Sequence, residues 1–535
     1  MLFINNKKEL GGKMQTWGRQ TIYVKYTEEE ILAADVEKQK QMVVEIIESS
    51  RGIHQQNKTE TLYLQDYVKG LQDIYVEKQK HTRTEIDNKT VENWAFAFVD
   101  FKKSYLLGKP IQYVQLNDSG EKEIALLNKY VRYEQKKAKD QLLYEDVLTG
   151  GRGFRFKNYS IMTEDDEAPF ELINCQPEHT EVIYSSKLGN KQVGSYIETS
   201  MEHIVTKINP ETQEKTQETE YYEEYTFYLR NKKFVVNDSS GELQVIGEPT
   251  TILMNEHPIT EYFTNKYRLS LIEIGKSLFN DINYLESLDK DDMEQFVNAI
   301  MVFTNAEVTE SEIEAIKTLG AVCITSTENK KASIELLQQR LNASDTQVYY
   351  TRLLTSLHQI LGVPMASDNG SLTSGDTGKA KLTGQGYTTA GIRAEGEETM
   401  FGMCDMEALK GILKCCKLAP DSIKNLKISD IEPKFFRDMS DNILTKTQAL
   451  LNLYSCDIPR NFANAIIGLF GDSNAITKEQ ERLFGPQVSQ QGSSKETPLE
   501  ETNNNDPKDT TNMNDKVDEQ NNKVQNTLEN NNQEQ

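Results

Sequence analysis

LSLIEIGKSLFNDINYLESLDKDDMEQFVNA, residues 269–299, is the stretch that decides how the rest is read. Leu271, Ile274, Leu278, Ile282, Leu285 and Leu288 recur every three or four residues and predict one apolar stripe on a helix. Glu273, Lys276, Asn280, Asn283, Glu286 and Lys290 fall between them, on the other faces. Roughly 30 residues of helix span about 45 Å, longer than most globular helices, and a narrow stripe of that length asks for helical neighbours.

A small insert follows. Ile300-Met301-Val302-Phe303 suits a strand, Thr309-Glu310-Ser311-Glu312 is a capping box, and Ile313, Ile316 and Leu319 give that helix an apolar face up to Gly320. Ala321 to Thr325 reads as a second strand. About 45 residues are too few to bury a core alone. A second long helix, Asp345 to Leu361, carries Leu353, Leu354, Leu357, Ile360 and Leu361 and stops at Gly362-Val363-Pro364, because the residue before proline is pushed out of the helical region.

Two further segments carry a resemblance. Asn93-Trp-Ala-Phe-Ala-Phe-Val-Asp-Phe-Lys-Lys-Ser-Tyr-Leu-Leu-Gly-Lys-Pro110 resembles the N-terminal signature of the portal proteins of long-tailed bacteriophages. Ser374-Gly-Asp-Thr-Gly-Lys-Ala380 is similar to the glycine-bearing segment that follows the paired helices in that family. With the small domain set between two long helices, the resemblance covers roughly residues 30 to 480. It implies an α+β portal fold: an α/β wing, a two-helix stem, a small α/β clip between the stem helices, a helical crown and a disordered tail. The boundaries it implies are an arm at 1–50, wing at 51–265, stem helix at 266–298, clip at 299–344, second stem helix at 345–363, tunnel loop at 364–381, returning wing at 382–440, crown at 441–486 and tail at 487–535.

The resemblance also implies a function: a subunit of a dodecameric ring at one capsid vertex. The terminase large subunit would pump double-stranded DNA through it, and DNA would later leave by it. Scaffolding and major capsid proteins would assemble around it in the bacterial cytoplasm, and a head–tail connector would dock on it. It implies no catalytic residue, no cofactor and no membrane. Asp368, Asn369, Ser374, Asp376, Lys379 and Lys381 are carried over as residues close to DNA in the tunnel loop, with a solvated loop as the plain alternative. Glu310, Glu314 and Lys317 are expected to face partners on the clip.

Composition limits the alternatives. The chain has 535 residues, 60 basic and 83 acidic side chains and a formal charge of -23. That argues against general gripping of duplex DNA, which needs clustered Lys and Arg, but suits a wall that a polyanion slides past. Cys175, Cys323, Cys404, Cys415, Cys416 and Cys456 form no C-x-x-C pair and sit mostly in apolar surroundings, as buried free thiols. No signal-like apolar core opens the chain, and no run of about 18 apolar residues exists to span a membrane.

The competing class is a nucleotide- or metal-dependent DNA-processing enzyme. Gly370-Ser-Leu-Thr-Ser-Gly375 has the glycine spacing of a phosphate loop, but Asp376 stands where lysine is required. Gly150-Gly151-Arg152-Gly153 could cradle a phosphate, yet no helix opens after it, so a turn fits better. Glu164-Asp165-Asp166-Glu167 reads as an exposed acidic turn, and His54, His81, His179, His203, His257 and His358 are scattered.

The remaining chain completes the picture. Helical character is expected over Glu28 to Ile47 in a peripheral arm, from near Asn88 or Thr90 to Gly108, over Glu123 to Leu148, and over Ala380 to Lys417. The glycines in the last helix predict bending or close packing. Ile111 to Gln115, Phe154 to Phe156, Thr180 to Tyr184, Gly194 to Thr199, Glu220 to Leu229, Lys233 to Val236 and Ile428 to Phe436 read as strands. Helices are expected again over Asp441 to Tyr454 and from Ile458 to Phe470. The last 49 residues hold 18 Asn or Gln and almost no large apolar side chain, too little to fold.

Overall fold

A computed structural model of the chain describes residues 17–79, 84–116, 121–162, 167–208, 215–238, 241–297, 300–304, 333–337, 343–365, 386–420, 422–436, 450–454 and the single positions 447, 463 and 482. The chain divides into two units, Met1–Ser440 and Asp441–Gln535. In the second, residues 450–454 are helical, within the predicted helix from 441 to 454; the predicted helix at 458–470 and the tail lie almost wholly outside the described residues.

The first unit is α+β. Its largest sheet has six strands in the order β1 (Ile22–Val24), β5 (Thr180–Ser185), β6 (Gln192–Ile208), β7 (Lys215–Tyr228), β8 (Lys232–Asn237) and β9 (Gln244–Thr251). Only β1 with β5 is parallel. Helices α1 (Glu28–Ala33) and α2 (Val36–Val68) cover it. Ile31, Val43, Ile46 and Ile47 pack on Ile183, Tyr196, Tyr225, Phe227 and Val236. The alternation of buried Tyr225 and Phe227 with less buried Tyr222, Thr226 and Tyr228 is the half-buried pattern expected of this strand.

The segment before residue 50 is therefore not peripheral: it supplies a strand and most of one helical layer. Its helix also runs on to Val68, well past Ile47. Between Ile47 and Leu64 the buried positions are Ser50, His54, Asn57, Glu60 and Thr61, so the apolar periodicity lapses mid-helix and resumes at Leu64, Tyr67 and Val68.

Helix α3 (Ile74–Glu77) precedes α4 (Trp94–Leu107). Helix α4 opens at Trp94 rather than near residue 90, because Asn93 caps it by accepting from the Phe96 N–H. Strand β2 (Gln112–Gln115) pairs antiparallel with β13 (Ile431–Lys434), the returning strand that the sequence predicts. The single helix expected over 123–148 is two, α5 (Glu121–Tyr133) and α6 (Lys136–Gly150), broken at Gln135 with φ 52°. A second sheet, β10 (Ile259–Tyr262), β3 (Gly153–Tyr159) and β4 (Phe170–Cys175), is antiparallel throughout. Strands β1, β4, β9 and β10 add to those that the sequence pattern predicts.

Helix α7 (Leu271–Val297), strands β11 (Ile300–Thr304) and β12 (Ser333–Leu337), helix α8 (Ala343–Leu361) and helix α9 (Tyr387–Leu418) complete the unit. Of the α9 glycines, Gly411 shows the close packing expected: a Cβ there would lie 2.3 Å from Lys157 Cε on β3. Gly396 has open space, so that expectation does not hold for every glycine of the helix.

Candidate functional site

The feature with the longest reach is the pair α7 and α8. Helix α7 starts with a reciprocal cap: Ser270 Oγ accepts from the Glu273 N–H at 3.0 Å, and Glu273 Oε2 accepts from the Ser270 N–H at 2.7 Å. The S-x-x-E spacing of 270–273 was the signal for it. The same carboxylate accepts from Gly18 N at 2.8 Å and Arg19 Nη2 at 2.6 Å, and Arg19 Nη1 faces Glu60 at 2.8 Å. Burial lowers the Arg19 pKa, against the pull of Glu273 and Glu60. Gly18 has φ 76° and passes so close to Tyr267 O that a Cβ would lie 2.1 Å from it, so no other residue fits there. The N-terminal segment thus clamps the foot of α7.

Along α7 two faces are engaged. The apolar one, Ile272, Phe279 and Ile282, meets Leu353, Leu357 and Leu361 of α8, joined by Phe98. A Cβ at Gly275 would lie 3.1 Å from Leu357 and 3.2 Å from Leu361, so the end of α8 crosses the start of α7 and the helices are antiparallel. The other engaged face is polar: Glu273 and Asn283, which lie off the predicted apolar stripe, are 0% exposed, whereas Ile274 of that stripe is 45% exposed. Asn283 accepts from the Glu92 N–H at 2.8 Å, Ser287 from the Thr90 N–H at 2.9 Å and Asp291 from the Asn88 N–H at 2.7 Å. Lys78 Nζ also donates to Asp291 at 2.7 Å. Residues 88–92 therefore run along α7 with their backbone groups bonded to it, which is why α4 starts only at Trp94.

Both ends of the helix pair carry inserted chain. At the far end β11 and β12 pair antiparallel from Ile300↔Leu337 to Thr304↔Ser333, so residues 305–332 leave and return through one ribbon. The clip candidates Glu310, Glu314 and Lys317, the predicted helix at 309–320 and the predicted strand at 321–325 lie outside the described residues; β12 itself was not foreseen. At the near end α8 stops at Gly362, φ 68°, with Val363 N–H bonded to His358 O at 3.0 Å. The chain departs after Met365 and returns at Gly386, where a Cβ would lie 3.9 Å from Pro364 Cα. The ends of the loop thus meet. Asp368, Asn369, Ser374, Asp376, Lys379 and Lys381 lie between them, also outside the described residues, so none of the nine predicted site residues is placed.

Helix α9, which starts where that loop returns, is fastened by buried charge. Glu397 takes Lys102 and Tyr144. Asp405 takes Tyr113 Oη at 2.7 Å, Tyr262 Oη at 3.0 Å and Lys136 Nζ at 2.9 Å. Burial alone would raise the Asp405 pKa; Lys136, Tyr113 and Arg155 bring it below the ordinary value.

Two of the other sequence candidates, Arg152 and His54, are paired with buried carboxylates. Arg152, from the glycine-rich turn, gives both its terminal nitrogens to Glu181 and is buried. His54 lies between Glu181 and Glu198, at 3.3 Å from each, with Lys58 also on Glu198. Cys175, Cys404, Cys415 and Cys416 are free and buried; Cys323 and Cys456 lie outside the described residues. Among the described residues no group of three or more His, Cys, Asp or Glu is placed to hold a metal ion, and no helix is long and apolar enough to cross a membrane. A recess of about 260 Å³ is lined by Phe101, Ser104, Tyr105, Gly108 and Phe436.

Comparison with known proteins bears on this arrangement. A family model described as phage portal protein, SPP1 Gp6-like, matches residues 47–458. No curated protein matches. A solved structure described as the neck of an empty GTA particle, computed with C6 symmetry, aligns with a TM-score of 0.38 and 11% identity over 70% of this chain and 90% of that one.

Proposed function

The chain belongs to the phage portal protein family, SPP1 Gp6-like, and we propose that it is the subunit of a dodecameric ring that forms the channel at one capsid vertex. It is a structural component of a phage particle. In this reading α7 and α8 are the stem and line the channel, and the chain between β11 and β12 is the clip. The loop between Met365 and Gly386 is the tunnel loop, the sheets with α1 to α6 and α9 are the wing, and the unit from Asp441 contains the crown.

The observation that carries the reading is the antiparallel helix pair with chain leaving and returning at each end: between the paired strands β11 and β12 far away, and between Met365 and Gly386 at the foot. DNA would be driven through by the terminase large subunit, which supplies the ATP hydrolysis, and would leave by the same route. Glu310, Glu314 and Lys317 would meet the terminase and then the head–tail connector. Scaffolding and major capsid proteins would assemble around the ring in the host cytoplasm. Asp368, Asn369, Ser374, Asp376, Lys379 and Lys381 would stand near the DNA, Lys379 and Lys381 touching phosphates. With a chain charge of -23, such a wall repels a polyanion weakly and lets it slide without sequence preference.

The work of this protein is mechanical. The stem is made stiff by Glu273 at its foot and by the row Asn283, Ser287 and Asp291 along its flank, so that load on the clip is passed to the wing. Negative-stain images of the purified chain together with an ATP-hydrolysis and nuclease assay test the reading. Rings with a central hole and no turnover are expected; a monomer with intrinsic ATPase or nuclease activity would end it.

A further inference from the structure

Each helix of the α7–α8 pair carries a second seam, turned away from the first. On α7 it is Ser277, Asp281, Tyr284 and Leu288, and on α8 it is Val348, Arg352, Thr355 and Gln359. Both seams repeat at spacings of four, three and four residues, which keep side chains in line along a helix. At about 100° per residue, the α7 seam lies about 160° round its helix from Gly275, Phe279 and Ile282, and the α8 seam about 170° from Leu353, Leu357 and Leu361. The inner residues face each other, so the two seams point off opposite flanks of the pair.

The seams are open and complementary. Ser277, Asp281, Tyr284, Val348, Arg352 and Gln359 are exposed, and Leu288 and Thr355 are half-buried. Tyr284, Leu288 and Val348 thus put apolar surface where a helix that meets only water carries polar side chains. One charge stands in each seam: Asp281 on α7, and on α8 Arg352, the only Lys or Arg of that helix. The two charges are also level. A Cβ at Gly275 would lie 3.1 Å from Leu357 and 3.2 Å from Leu361, so Gly275 is level with Gln359. Each step along α7 then matches a step back along α8. Asp281 falls level with Leu353, next to Arg352. Tyr284 falls level with Tyr350, between Val348 and Arg352, and Ser277 level with Leu357, between Thr355 and Gln359.

We propose that the α7 seam of one subunit packs on the α8 seam of a second copy of this chain, with Asp281 paired to Arg352 and Tyr284 set against Val348. The inference rests on the ring reading and deepens it. Rotation about an axis along the helix pair keeps every residue at its height, so seams that are level within one subunit meet level between two. The seams differ from each other, so the contact is head-to-tail. Repeated by rotation, it uses every seam once and closes a ring whose wall alternates α7 and α8.

The test uses the full-length chain. Asp281→Arg and Arg352→Asp are made singly and then together. Ring fraction is read by mass photometry and folding by circular dichroism; both side chains are exposed, so the fold should be kept. Each change alone sets like charges against each other and is expected to cut the ring fraction by about ten-fold or more, and the exchange to restore it. Separately, Ser277→Cys is combined with Gln359→Cys. Within one chain these positions lie on opposite flanks of the pair, too far apart for a disulfide, so a link between them joins two chains. A ladder of oligomers beyond that of either single substitution is expected on a non-reducing gel. Undiminished rings in either reversal, no restoration in the exchange, or no added ladder would overturn the contact while leaving the ring reading intact. Absence of rings from the unsubstituted chain would instead bring down the ring reading, and the contact with it.

Discussion

Replacing Glu273 by alanine should loosen the foot of α7 more than any single apolar change of similar size. One carboxylate there does three things: it caps the helix with Ser270, accepts from Gly18 N and faces the buried Arg19. Loss of the cap costs about 1 kcal/mol. Leaving Arg19 with only Glu60 is the breaking of a buried pair, about 3–5 kcal/mol, and the orphaned Gly18 N–H adds about 1–3 kcal/mol. These effects share one side chain and do not add fully, so a loss of about 4 kcal/mol is expected. That is a large part of a typical domain's stability, about 5–15 kcal/mol. Glu273→Gln, which keeps an acceptor but no charge, should lose about half as much. The chain has 2 tryptophans, and one of them, Trp17, adjoins Gly18, so urea unfolding followed by tryptophan fluorescence reports on the clamp. Arg19→Met combined with Glu273→Ala should cost clearly less than the sum of the two. A loss below about 1 kcal/mol for Glu273→Ala, or strict additivity in the double variant, would refute the idea that this buried triad holds the helix.

Gly411→Ala should destabilise the unit by about 1 kcal/mol, since overpacking against Lys157 (about 1–3 kcal/mol) is offset by the helical gain of alanine (about 1 kcal/mol); a thermal melt that rises instead would show that Lys157 moves aside. Stability should also depend on pH at both ends. Burial would raise the pKa of Glu181, but Arg152 and His54 hold it at about 2, so its contribution is present above 4.5 and is lost as pH falls toward 2. The difference from 4.5 corresponds to about 3 kcal/mol. Burial opposes the charged form of His54, yet Glu181 and Glu198 raise its pKa above 6.5, so its contribution is full below 6.5 and is lost as pH rises through the raised value. His54→Gln should flatten that alkaline limb, and melting profiles that run parallel to the wild type above pH 6.5 would contradict it. Deleting residues 371–375 should leave rings intact and impair DNA packaging or retention; loss of the rings would make the loop a core element. Leu319→Asp should spoil the small inserted domain and block terminase docking while the wing stays folded, and unchanged packaging would count against that assignment.

Much of the frame could be read from the chain alone. The two long helices, strands within 180–184, 194–199, 220–229 and 233–236, and a returning strand within 428–436 all follow local rules of period and punctuation, whereas the full lengths of the strands at 192–208 and 215–228 and the pairing of 431–434 with 112–115 do not. What escaped depends on partners far away in sequence. Asn283, Ser287 and Asp291 look like a solvated face because their partners are backbone groups of residues 88–92, almost two hundred positions earlier. The length of α2 was hidden by the same device, since Ser50, His54, Asn57 and Thr61 are buried in polar company. Gln135 breaks a helix with a positive φ and no glycine to announce it. For the candidate site, the anchors of the loop and of the insert were legible from Pro364 and from the strand at 300–304, while the nine residues singled out within those segments remain expectations.

The near contact of Pro364 with Gly386 has an evolutionary consequence. A segment whose entry and exit sit side by side needs no set length to bridge them, and doubling such a length costs only about 0.6 kcal/mol in closure entropy. In the ring reading proposed above, insertions and deletions there would alter the calibre of the channel without disturbing the helices around it. A lineage could thus refit one gasket for a different genome density while keeping the machine that holds it.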